Sequence, residues 1–265
     1  MSEPDLKAIL LLCSYLGLDS NPDPAPLKPK DWSLLARKLY SAALRPGYLF
    51  SASMTDLSQL GLGDELVHRI FGLLQRSETL ESELERLKSL DIQVLTRGDK
   101  EYPKLYKKRL VESSPTVLFY IGNKELLNDP GIAIVGSRQL DKTGQECAEL
   151  LGNACGLSGR VLFSGGARGV DFISMQAALK THNAVVGVLA DNLEKAIHEP
   201  AYRDAIAQRN LCLVTPYSPN APFMVGKAMG RNKLIYTLAQ YAIIIASDLK
   251  KGGTWAGATE ALNKD

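Results

Sequence analysis

The sequence predicts an α/β protein: a doubly wound Rossmann-like parallel sheet preceded by a small all-helical domain with a helix-hairpin-helix-like motif. Three observations predict it. Residues 1–90 carry their apolar side chains at helical spacing. From residue 91 the period changes, and short continuous apolar runs rich in β-branched residues alternate with helical stretches, the pattern of a sheet buried on both faces. Several of these runs end in glycine turns, as in "IVGSR" at 134–138 and "SGGARGVD" at 164–171. The expected division is 1–90 for the helical part and 91–265 for the sheet.

In the first part, helices are expected over 5–18 and 31–44. The segment "DSNPDPAPLKPKD" separates them, its four prolines and four Asp or Asn side chains stopping any helix. Residues 57–74, "LSQLGLGDELVHRIFGLL", place apolar residues at 57, 60, 62, 66, 67 and 70 around Gly61 and Gly63. Two readings stand for this hairpin. Either its glycines let the backbone approach a DNA phosphate, or it is a packing unit with Gly61 as a helix cap. Leu80, Leu84, Leu87 and Leu90 then form an apolar helical stripe. In the second part, strands are expected at "IQVLT", "TVLFYIG", "IAIVGS", "RVLFSGG", "AVVGVLA", "LCLVTP" and "YAIIIAS". Helices are expected at 142–157, 170–181, 201–208 and 231–239. The chain's final helical stretch, "ATEALNKD", leads to the expectation of at least one further strand beyond it, and hence of a truncated domain.

Composition narrows the function classes. Hydrophobic content is 45% and charged content 23%, as in soluble domains. No apolar run reaches the roughly 18 residues of a membrane span, and the start "MSEPDLKAILLLCSYLGL" lacks the basic region of a signal peptide. A cytoplasmic protein with no membrane association is expected. The net charge of +2 announces no nucleic-acid binder, so any basic surface has to be local. Cys13, Cys147, Cys155 and Cys212 form no CxxC pair and have no histidine at ligand spacing; four free, buried thiols and no metal are expected.

The informative residues fall at strand ends, where an open α/β sheet binds its ligands. One turn closes with Gly136, Ser137 and Arg138. The turn Ser164, Gly165, Gly166, Ala167, Arg168, Gly169 opens a helix and points backbone N–H groups outward, with a guanidinium beside them, which favours an anion. Asp171 reads as a cap of that helix. A long loop before the helix at 231 offers Phe223, Lys227, Arg231, Asn232 and Lys233. Lys250, Lys251, Gly252, Gly253 and Thr254 follow the last strand. Together they predict a glycine-floored basic pocket, with Phe223 either at its rim or plugging the core. No G-x-G-x-x-G follows the first strand and no acidic residue ends the second, which disfavours a dinucleotide cofactor; the P-loop signature is also missing.

Several segments resemble the DNA-processing protein A family, known as DprA or Smf. They are "YPKLYKKRL", "PTVLFYIGN", "IVGSR", "SGGARGVDFISMQAAL" and "GRNKLI", in the family's order, and the similarity runs from about residue 55 to the end. The resemblance implies a protein without catalytic activity or cofactor that binds single-stranded DNA, helps load the RecA recombinase in natural transformation, and forms a homodimer. Binding residues carried over are Gly136, Ser137, Arg138, Ser164, Gly165, Gly166, Arg168, Gly169, Phe223, Lys227, Arg231, Asn232, Lys233 and Lys250. Single strands need such a basic groove with an aromatic for bases. The sequence departs from the family at Ser174-Met175, at Lys233 and at "GGTWAGA", where Trp255 and Gly257 stand. A rival reading is a nucleotide sensor or an enzyme similar to nucleotide phosphoribohydrolases, whose "PGG-x-GT-x-x-E" turn "KGGTWAGATE" resembles. Glu260 would be its acid, although Thr254 and Glu260 stand six apart rather than three.

Overall fold

The computed structural model describes residues 1–18 and 21–263. The first residues of the proline-rich segment, Asp19 and Ser20, and the end of "ATEALNKD" lie outside the described residues. The chain divides into two compact units, Met1–Lys100 with Val111–Leu118, and Glu101–Leu110 with Phe119–Asp265.

The first unit begins with α1 (Glu3–Cys13), α2 (Pro29–Ser41), α3 (Met54–Gln59), α4 (Asp64–Leu74) and α5 (Ser77–Ser89). Helix α1 stops five residues short of the expected Leu18, because the Ser14 hydroxyl donates to the Leu10 carbonyl at 2.7 Å and ends the helix there. Leu10, Leu12, Leu35, Leu39, Leu57, Ile70 and Leu73 meet in its core. In the hairpin, Ser53 and Asp56 form a capping box at the start of α3. Gly61 takes a φ of 73° just past α3, where a side chain would be strained, so the glycine serves the turn. Leu57, Leu62, Val67 and Ile70 are buried, while Leu60 and Leu66 are half-buried. On α5, Leu80 and Leu87 are buried and Leu84 and Leu90 are half-buried, so the predicted stripe packs mainly through two of its four leucines. Strand β1 (Gln93–Thr96) follows, and just beyond it the Arg97 N–H donates to the Thr116 carbonyl.

The second unit carries α6 (Lys104–Leu110), β2 (Val117–Gly122) from Phe119 onward, β3 (Gly131–Gly136), α7 (Lys142–Leu157), β4 (Val161–Ser164) and α8 (Val170–Lys180). It continues with β5 (Val185–Val188), α9 (Leu193–Ala196), α10 (Pro200–Ala207), β6 (Leu211–Thr215), α11 (Val225–Leu238), β7 (Tyr241–Ile245) and α12 (Gly252–Leu262). Every predicted apolar run contains a strand. All residues of β4, β5 and β6 are buried, which requires cover on both faces of the sheet.

Within the second unit the strands lie in the order β2-β6-β5-β4-β3-β7. Strands β3 to β6 and β7 run parallel, but β2 pairs antiparallel with β6, so the sheet is mixed rather than wholly parallel. From β3 the chain builds outward through β4, β5 and β6 on one side and returns to place β7 on the other. The boundary between β3 and β7 is therefore the switch point, where the loops leaving two neighbouring strands part in opposite directions and leave a crevice.

One boundary matters for the site. Helix α11 starts at Val225, six residues before the expected 231. Gly226 and Gly230 interrupt the apolar spacing there and disguise two turns of helix as loop. Lys227, Arg231, Asn232 and Lys233 thus sit on a helix and not in a loop.

Candidate nucleic-acid interface

A cleft of about 720 Å³ opens at the carboxyl ends of β3 and β7. Its lining includes Gly136, Ser137 and Arg138 after β3, Phe223 before α11, Arg231 and Asn232 on α11, and Lys250 to Thr254 after β7. Trp255 and Asp248 also line it. The start of α12 is tied down from two sides. The Thr254 hydroxyl donates to the Gly136 carbonyl at 3.0 Å, and the Asn232 amide donates to the Gly253 carbonyl at 3.1 Å.

The floor is a buried ion pair that sequence reasoning missed. Arg231 Nη1 lies 3.3 Å from Asp171 Oδ2, and both residues are buried. Asp171 is not the cap of α8: Gly169 holds that position, and Asp171 stands inside the first turn. Burial pushes the Asp171 carboxyl up, against the pull of Arg231 and of backbone bonds from Gly136 and Gly165. The backbone N–H groups of Gly136 and Gly165, in two of the predicted phosphate turns, thus face a carboxylate of the chain itself. Gly165 is glycine for a steric reason, since a Cβ there would stand 1.0 Å from Arg231 Nη1. Arg231 Nε has no hydrogen-bond partner among the described residues.

The other predicted residues divide. Phe223 is 45% exposed, which excludes the core-plug alternative. The Arg138 guanidinium lies 4.8 Å from the centre of its ring, a cation–π contact joining two loops. Arg138, Lys250 and Lys251 are exposed. Arg168 is exposed but does not line the cleft, nor do Ser164, Gly165, Gly166 and Gly169. Ser164 is buried and its hydroxyl donates to the Ile134 carbonyl at 2.6 Å. Lys227 lies outside the lining, its ammonium 5.6 Å from the Tyr217 ring, and burial lowers its pKa. Lys233 lines a smaller cavity of about 290 Å³ with Lys108 and Arg109, and pairs with Glu260 at 3.6 Å. Glu260 lines that smaller cavity and not the main cleft, so the enzyme reading loses its acid from the crevice. Cys155 and Cys212 are buried as expected, but Cys13 and Cys147 are only half-buried; all four are free. Among the described residues no cluster of His, Cys, Asp or Glu could hold a metal, and no helix is long and apolar enough to cross a membrane.

Comparison with known proteins decides the family. The model of DNA recombination-mediator protein A matches residues 93–265. The chain belongs to the DprA/Smf family. It is 27% identical over 199 residues to the protein Smf of Synechocystis sp., covering 72% of this chain and 49% of that one. The chain spans about half the length of the curated relatives it matches. The crystal structure of DNA processing protein A from Streptococcus pneumoniae superposes with a TM-score of 0.69 at 17% identity, over 100% of this chain and 84% of that one. A solved structure of DNA processing protein A from Helicobacter pylori, reported for that protein's single-stranded DNA binding mode, gives a TM-score of 0.54 at 23% identity over 65% of this chain and 77% of that one. At these identities both superpositions establish the DprA fold.

Proposed function

We propose that the chain binds single-stranded DNA in the cleft at the ends of β3 and β7 and performs no catalysis on it. The observation that carries this reading is the composition of the cleft: an exposed aromatic, Phe223, in contact with Arg138 and sharing its cavity with Lys250 and Lys251. Single strands are held without sequence preference by cations along the backbone and rings under the bases. Of the carried-over residues, Arg138, Phe223 and Lys250 are the direct contacts in this reading. Arg231 and Gly165 act from beneath by fixing the loops. Membership of a family of recombination mediators supports the wider role: the bound strand is protected and passed to the RecA recombinase in transformation or recombination, in the cytoplasm, by a homodimer that uses no cofactor.

Fluorescence anisotropy with a labelled oligothymidylate, a duplex of equal length and a labelled mononucleotide tests the reading. The single strand binds most tightly, with an affinity that falls as salt rises, by a log–log slope of about −0.7 per phosphate neutralised. A mononucleotide that binds as tightly as the strand would replace this reading with a nucleotide sensor.

A further inference from the structure

Trp255 lines the cleft but has no part in the contacts assigned so far. It stands in the first turn of α12, half-buried, and shares the cavity of Phe223 and Arg138. Its seat is fixed. The residues immediately before it are anchored through Thr254 to Gly136 and through Gly253 to Asn232. Two positions further on, Gly257 is buried so closely against α11 that a Cβ there would lie 3.1 Å from the Tyr236 ring and 3.2 Å from Asn232 Cβ. Helix α12 therefore packs closely on α11, and the indole is presented from that helix.

Its chemistry is unused by the protein. Among the described residues no aromatic ring or cation stacks on the Trp255 indole, and its N–H donates to no protein group. The indole N–H is not among the buried unpartnered groups, so it opens to the cleft and stays available to a ligand acceptor. Phe223 is in the opposite condition, because Arg138 already occupies one of its faces. A cavity of about 720 Å³ is also large for a single base, since whole drug-sized ligands fit in clefts of about 300–1,000 Å³.

We propose that Trp255 is a second base-stacking platform, so that the cleft takes two nucleobases of one strand, one at Phe223 and one at Trp255, with Arg138, Lys250 and Lys251 serving the backbone. The proposal rests on the single-strand reading and adds to it a base subsite. It predicts a preference for strands that carry bases over the same backbone without them.

The test uses the full chain, an oligothymidylate and an abasic deoxyribose-phosphate oligomer of equal length. Trp255→Ala weakens the oligothymidylate about ten- to a hundredfold, as loss of one stacked base does, and leaves the abasic oligomer bound as by wild type. Trp255→Phe keeps a ring and stays close to wild type. Tryptophan emission gives a check that does not depend on the alanine variant folding. The chain has two tryptophans, and the emission missing from Trp255→Leu belongs to Trp255; that component is quenched by oligothymidylate and not by the abasic strand. If wild type binds oligothymidylate but Trp255→Ala binds it equally and the emission is unmoved, the platform is wrong and the single-strand reading survives. The platform is equally wrong if both oligomers weaken to the same extent, because Trp255 then only packs the helix. If wild type binds neither oligomer, both claims fall together.

Discussion

Gly165→Ala is the smallest change that reaches the floor of the cleft. The added methyl would stand 1.0 Å from Arg231 Nη1 and 2.5 Å from Asp171 Oδ2, far inside contact distance. The backbone of a buried turn has little freedom to retreat, so the guanidinium has to leave its slot. The Asp171–Arg231 pair is then broken with its carboxylate still buried, the Arg231 and Asp171 side chains being 4% and 8% exposed in the intact protein. Breaking a buried pair in this way costs about 3–5 kcal/mol. The N–H groups of Gly136 and Gly165 still face the Asp171 carboxylate and favour the lower end of that range. In a domain of this size, about 3 kcal/mol lowers Tm by about 6–12 °C. Urea and thermal unfolding of wild type and variant, followed by circular dichroism, measure it. A Gly165→Ala chain that melts with wild type would refute the packing argument and return the turn to the role of an open phosphate cradle.

Three further outcomes are expected. Arg138→Ala and Lys251→Ala each flatten the salt dependence of oligothymidylate binding by about 0.7 in log–log slope, whereas Lys88→Ala, on exposed α5 surface, leaves it unchanged; equal effects from all three would remove the case for a local site. Phe223→Ala weakens the single strand about ten- to a hundredfold but, being a change at an exposed side chain whose ring contacts Arg138, lowers unfolding free energy by no more than about 1 kcal/mol, and a large loss of stability with intact affinity contradicts the assignment. Burial pushes the Cys155 thiol up to about 11 despite the nearby Arg160, so at pH 8 about one part in a thousand is thiolate. Mass spectrometry after iodoacetamide treatment finds Cys155 unlabelled in the folded chain and labelled in urea; rapid labelling in the folded chain argues against its burial.

The strands were legible because a sheet buried on both faces writes itself as continuous apolar runs, and α7 was legible over its whole length because Asp141 caps it and its spacing is unbroken. Strand direction leaves no such trace, and the antiparallel pairing of β2 with β6 came only from the structure. The same holds for the floor of the cleft. Asp171 and Arg231 are 60 residues apart, and a local reading assigns each the commonest role of its type: a helix cap for one, a solvent-facing cation for the other. The glycines of "SGGARGVD" were visible, but their reason was not, since room for a guanidinium and room for a phosphate ask for the same residue. Trp255 was visible as a departure from the family pattern; its place in the cleft depends on the β3–β7 switch point, which only the topology reveals.

The central claim is the location of the strand, and cross-linking reads it most directly. Oligothymidylate carrying a photoreactive base is bound to the full chain and irradiated, and the cross-linked peptides are mapped by mass spectrometry. Binding in the cleft predicts cross-links to the peptides that contain Phe223 and Trp255, lost on competition with unlabelled single strand. Cross-links confined to the hairpin at 57–74, with none around the cleft, would contradict it.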